Sequence, residues 1–78
     1  MERIEKVLRF SQSLYLRDAV THSAAAYTGL FRAHVLEDGH DVVVHIDGED
    51  VNDELLDNFA NHVLFETVRL RQATTENR

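Results

Sequence analysis

The spacing of apolar side chains changes period along this chain, and each change predicts an element. Over residues 3–10 the pattern alternates: Ile4, Leu8 and Phe10 fall on one side, with Lys6 interrupting, and Arg3, Glu5, Val7 and Arg9 on the other. Such alternation predicts a half-buried strand, ended by the polar Ser11-Gln12-Ser13. From Leu16 the period lengthens. Leu16, Val20, Ser23, Ala24 and Tyr27 follow helical spacing, with Arg17, Asp18, Thr21, His22 and Ala25 opposite, which predicts a helix over about residues 16–28. Gly29 is placed to end that helix in the left-handed conformation, and Ala24-Ala25-Ala26 lets another element pack closely.

Asp38-Gly39 then predicts a tight hairpin, because the turn it favours needs positive φ at both central positions. Closing a ladder on that turn pairs Glu37 with His40, Val35 with Val42, Ala33 with Val44 and Phe31 with Ile46, and sets Gly29 opposite Gly48. The other face then carries His34 beside Val43, Leu36 beside Asp41 and Arg32 beside His45.

A long amphipathic helix is predicted over residues 50–73, with Asp50 or Asn52 as its cap and Asp53 and Glu54 in its first turn, where the helix dipole favours negative charge. At about 100° per residue, Leu55, Leu56, Phe59, Val63 and Leu70 share one arc. Leu64, Phe65 and Val68 point the other way, among Asp57, Asn61 and Gln72. One core consumes one apolar stripe, so the second asks for a partner.

The order strand, helix, strand, strand, helix predicts an α+β two-layer sandwich: a three-stranded antiparallel sheet in the order 1-3-2 with both helices on one face. A single domain is expected over residues 1–73, with a frayed polar tail over 74–78. The first strand and the 31–37 strand become edges, and one sheet face is left without a helix.

Composition narrows the classes. A single core in a chain of 78 residues supplies only about 3–5 kcal/mol of net stability, and with no cysteine neither a disulfide nor a thiolate metal site adds to it. Self-association, as a homodimer, is the remaining inexpensive source. No apolar run approaches a membrane span, and the opening Met-Glu-Arg-Ile-Glu-Lys is unlike a signal peptide, so no membrane contact and a cytoplasmic location are expected. The formal charge of −6 disfavours nucleic acid as a partner and suits a protein or peptide.

Candidate chemistry is sparse. His34, Asp41 and His45 fall on the uncovered sheet face, with Asp47 beside them, and imidazole with carboxylate suits zinc or manganese; solvated sheet faces also carry such residues with no metal. Asp18 with His22, and His62 with Glu66, are one helical turn apart and read as surface pairs. Glu66 falls inside the apolar arc near Tyr15, Tyr27 or His62, where a desolvated carboxyl could serve as acid or base, or simply reach water at the core's rim. No serine triad and no phosphate loop is present, so no enzyme and no cofactor are expected. The bound partner is expected on Leu64, Phe65 and Val68, or on the open sheet face around Val7, Leu36 and Val43.

The layout resembles one family. Leu14-Tyr15 opening the first helix, an alanine-rich helix ending near Tyr27, an acidic hairpin, the segment Asn52-Asp53-Glu54-Leu55-Leu56-Asp57, and the later Thr67 followed by Arg69 or Arg71 together resemble HxsD-type small proteins of His-Xaa-Ser maturation systems. A mid-helix arginine of that family is replaced here by Phe59-Ala60-Asn61-His62, and its apolar ending by Arg71-Gln72-Ala73-Thr74-Thr75. The resemblance implies a non-catalytic accessory component, encoded with radical-SAM maturases, that recognises or presents a His-Xaa-Ser peptide. It also implies Glu54, Asp57 and Thr67 as contact residues.

Overall fold

In the computed structural model, which describes residues 3–76, strand β1 (Ile4–Ser11) leads into helix α1 (Arg17–Ala26), a hairpin of β2 (Arg32–Asp38) and β3 (Asp41–Gly48), and helix α2 (Asp53–Glu76). The sheet is antiparallel with the order β1-β3-β2, the predicted α+β architecture. Its central strand owes its place to its valines. Val42, Val44 and Ile46 point to the helices and are fully buried, while Val43, on the open face, is also buried, with Arg9 and Leu36 as its row neighbours.

The helices close over the inner face. Val20 and Ala24 from α1 meet Leu56, Phe59 and Val63 from α2, and Phe10, Phe31 and Val51 complete the cluster. Phe59 is its centre: the rings of Phe10, Tyr27 and Phe31 meet it edge-on at centroid distances of 6.1, 5.3 and 5.6 Å. Edge-to-face contacts of this kind contribute about 0.5–1.5 kcal/mol each beyond burial. Ser23 faces the same interior, and its hydroxyl finds no hydrogen-bond partner among the described residues.

The hairpin register departs from expectation. Glu37 pairs with Val42, Val35 with Val44 and Ala33 with Ile46, two residues along from the predicted partners, and on the open face His34 pairs with His45, Leu36 with Val43 and Arg32 with Asp47. The cause is the turn. Gly39 has φ +63° and is the only positive-φ residue among those described, so Gly39 and His40 are the central pair, with glycine in the first position, and Asp38 pairs with Asp41. A type II′ turn wants that placement, whereas the expected turn put aspartate there. A slip of two residues keeps every side chain on its own face, so the facial pattern is unchanged.

Gly29 also differs. Its φ is not positive, and α1 stops at Ala26, with the Leu30 and Phe31 amides donating to the Tyr27 carbonyl. Gly48 is the glycine under packing pressure, since a Cβ there would lie 3.1 Å from Val51 Cγ2 and 3.3 Å from Phe31 Cβ. Asn52 caps α2, its Oδ1 accepting the Leu55 amide at 2.8 Å. The helix continues through residues 74–76, which were expected to fray; residues 77 and 78 of that expected tail lie outside the described residues. Among the described residues, no helix is long and apolar enough to cross a membrane.

Candidate functional site

The second apolar stripe is exposed. Leu64, Phe65 and Val68 on the back of α2 keep 48 %, 63 % and 47 % of their surface in solvent. They lie on adjoining turns of one helix, so their side chains form a continuous ridge. Helical spacing sets Asp57 and Asn61 before this ridge and Arg71 and Gln72 after it. Acidic Asp53 and Glu54 occupy the first turn of α2 with Asp57 a turn further on, and its second half carries Arg69 and Arg71 beside Glu66 and Glu76.

Glu54 and Asp57 are exposed. Glu54 lines a shallow depression of about 360 Å³ with Gly29, Leu30, Asn52 and Leu55, one end of the helical layer. Thr67 is different and corrects the expectation of a contact residue. It is 1 % exposed, and its Oγ1 accepts the Leu16 amide at 3.2 Å, tying the start of α1 to α2. Four residues after Val63, Thr67 belongs to the core arc, and that spacing was the signal available for placing it inside.

Glu66 sits at the seam between the helices with its side chain only 12 % exposed. Arg69 grips both carboxylate oxygens, donating at 2.7 and 3.2 Å, while His22 Nδ1 and His62 Nε2 each approach one oxygen to 4.0 Å. The Arg69 hydrogen bonds hold the carboxyl below its ordinary range against the opposing effect of burial, with the charges of Arg69, His62 and His22 adding to them. A proton-donating Glu66 would need the reverse shift. The group is a structural anion that joins α1 to α2.

On the open sheet face, His34 and His45 are direct cross-strand partners. Asp41 is four residues from His45 on the same strand, a separation of about 13 Å at the usual rise, and its carboxylate instead receives Arg9 at 3.1 Å. The predicted His34, Asp41 and His45 metal set therefore does not converge. Among the described residues no group of three or more His, Cys, Asp or Glu is placed to hold a metal ion. Arg32, His34, Leu36, His45 and Asp47 line a depression of about 330 Å³ on this face. Its borders are charged pairs, Arg3 with Asp47 and Arg9 with both Asp38 and Asp41, and Arg9 is held more firmly protonated by them. Val7 and Leu36 are the exposed apolar residues here, about half of each in solvent.

The geometry defines a class, a small two-layer α+β domain with an apolar ridge on its outer helix and a bare sheet face. No protein-family model matches the chain, and no curated protein or solved structure matches it.

Proposed function

We propose that this protein is a non-enzymatic adaptor of the cytoplasm that binds a protein or peptide and self-associates, using the back of α2 as its principal surface. The observation that carries this reading is the exposure of Leu64, Phe65 and Val68 together on one helix face. Scattered single apolar residues are normal on any surface, whereas a phenylalanine flanked by two aliphatic neighbours on adjoining turns is a contiguous patch. The open face around Val7 and Leu36 is the secondary surface. The resemblance to His-Xaa-Ser maturation components supports an accessory role, with Glu54 and Asp57 at the rim of the site and a His-Xaa-Ser repeat peptide as the ligand presented.

Light scattering across a concentration series tests the reading. Association that rises with concentration and disappears in Phe65→Glu is expected. A protein that stays monomeric at every concentration, with Phe65→Glu indistinguishable from it, would remove self-association from the proposal. Titrating a synthetic His-Xaa-Ser repeat peptide while following α2 amide resonances tests the ligand; resonances that stay put at excess peptide would remove it.

A further inference from the structure

Resting on the reading of α2 as an association surface, we infer that its occupant is the α2 helix of a second copy, packed antiparallel about a two-fold axis near Leu64. Three observations converge on that occupant. The first is the ridge itself, which faces away from the core (Leu64, Phe65 and Val68). The second is length. α2 has 24 residues, about 36 Å of helix, and among its described side chains, which run to residue 73, the last fully buried is Thr67, so roughly 9 Å of helix follows it with no fully buried side chain. A helical end carried past its own core is marginal in water and gains most from a neighbour along its side. The protein is elongated accordingly, 51 Å in its longest dimension against 25 and 16 Å in the others.

The third observation is the placement of two opposite charges beside the ridge, and it decides the orientation. Asp57 lies seven residues before Leu64 and Arg71 seven residues after it, two helical turns either way and on one edge of the ridge. An antiparallel pair centred on Leu64 therefore brings Asp57 of each copy to Arg71 of the other, twice by symmetry. A parallel pair would set Asp57 against Asp57 and Arg71 against Arg71. Like charges in those positions oppose association, so the antiparallel form wins. Asn61 and Val68 then fall near each other across the axis, and the two Phe65 rings cover the Leu64 side chains. A single helix pair sits at the small end of specific interfaces, so the dimer is expected to have a micromolar or weaker Kd.

The chain has no cysteine, so introduced cysteines report without interference. Asp57→Cys and Arg71→Cys chains, mixed and oxidised, are expected to give the mixed disulfide well in excess of either like-with-like product. A predominance of Asp57→Cys with itself and Arg71→Cys with itself would overturn the antiparallel arrangement, and so would a statistical mixture. The charge arm uses sedimentation. Asp57→Arg and Arg71→Asp are each expected to weaken the dimer roughly tenfold, and the double exchange to restore most of it. Weakening in both single variants with no recovery in the double would overturn the pairing. Because Phe65→Glu is scored separately, association that depends on Phe65 but links like residues leaves the adaptor reading standing and removes only the antiparallel partner.

Discussion

On the side of α2 that meets the sheet, Phe59 and Val63 have no solvent exposure, and aromatic rings from β1, α1's exit turn and the residue just before β2 close around Phe59. On the opposite side of the same helix, Phe65 leaves 63 % of its surface in water with no ring partner among the described residues. The two phenylalanines share a helix, a chemistry and nearly a neighbourhood. Only one has its burial completed by its own chain. Burial of the first stabilises the fold, whereas most of the apolar surface of the second contributes nothing to it. The difference separates, within one element, the residues that hold the fold from those the fold does not use.

The contrast can be broken from its stronger side first. Phe59→Ala is expected to cost about 3–5 kcal/mol, which matches the whole net stability of a domain this small. Circular dichroism with thermal or urea unfolding should show a largely unfolded chain at room temperature. Thr67→Val keeps the side chain's shape and removes the acceptor of the partly buried Leu16 amide, a loss expected to cost about 1 kcal/mol. Urea midpoints with unchanged slope would check that.

A smaller effect depends on pH. Glu66 is depressed below its ordinary value of 4.5 in the folded chain, so the unfolded state binds its proton more tightly. The stability it contributes is complete above that ordinary value and is lost as pH falls through the depressed one. Glu66→Gln should therefore unfold more easily than the natural chain at neutral pH, with the gap closing as pH drops below 4.5. A gap that persisted unchanged in acid would show that the residue acts through shape alone. Last, Phe65→Ala should move monomer stability by no more than about 0.5 kcal/mol, since little is buried there, while reducing association. A large loss of monomer stability would mean that the two faces are not separate after all.

Much of this arrangement was legible in the sequence, and what escaped did so for definite reasons. Alternation in β1, the Asp38-Gly39 turn with the facial pattern of the strands it joins, and the 3.6-residue period in both helices set the order of elements and which faces turn inward. The hairpin register escaped because pairing two residues along preserves every face; only the demand of the turn for glycine in its first central position distinguishes the alternatives. The exposure of Leu64, Phe65 and Val68 was legible from helical angle alone. Thr67 was readable too, as a member of the arc of Phe59 and Val63, but its family-like motif drew it to the surface. The grip of Arg69 on Glu66 was foreseeable in spacing, three residues on one helix, though not in strength, because the burial that opposes it depends on α1 lying alongside. The three candidate ligands on the sheet face failed on distance along the strand, which facial pattern does not measure.

The two outer strands carry a consequence for how large any assembly can grow. β1 presents Glu5, Lys6 and Arg9 to solvent, and β2 presents Arg32, Glu37 and Asp38, so each border of the sheet is studded with ions. Docking strand to strand would strip water from those groups, which discourages ribbons built copy upon copy. Any meeting of copies is thereby steered off the hydrogen-bonding edges and toward side-chain surfaces such as the back of α2.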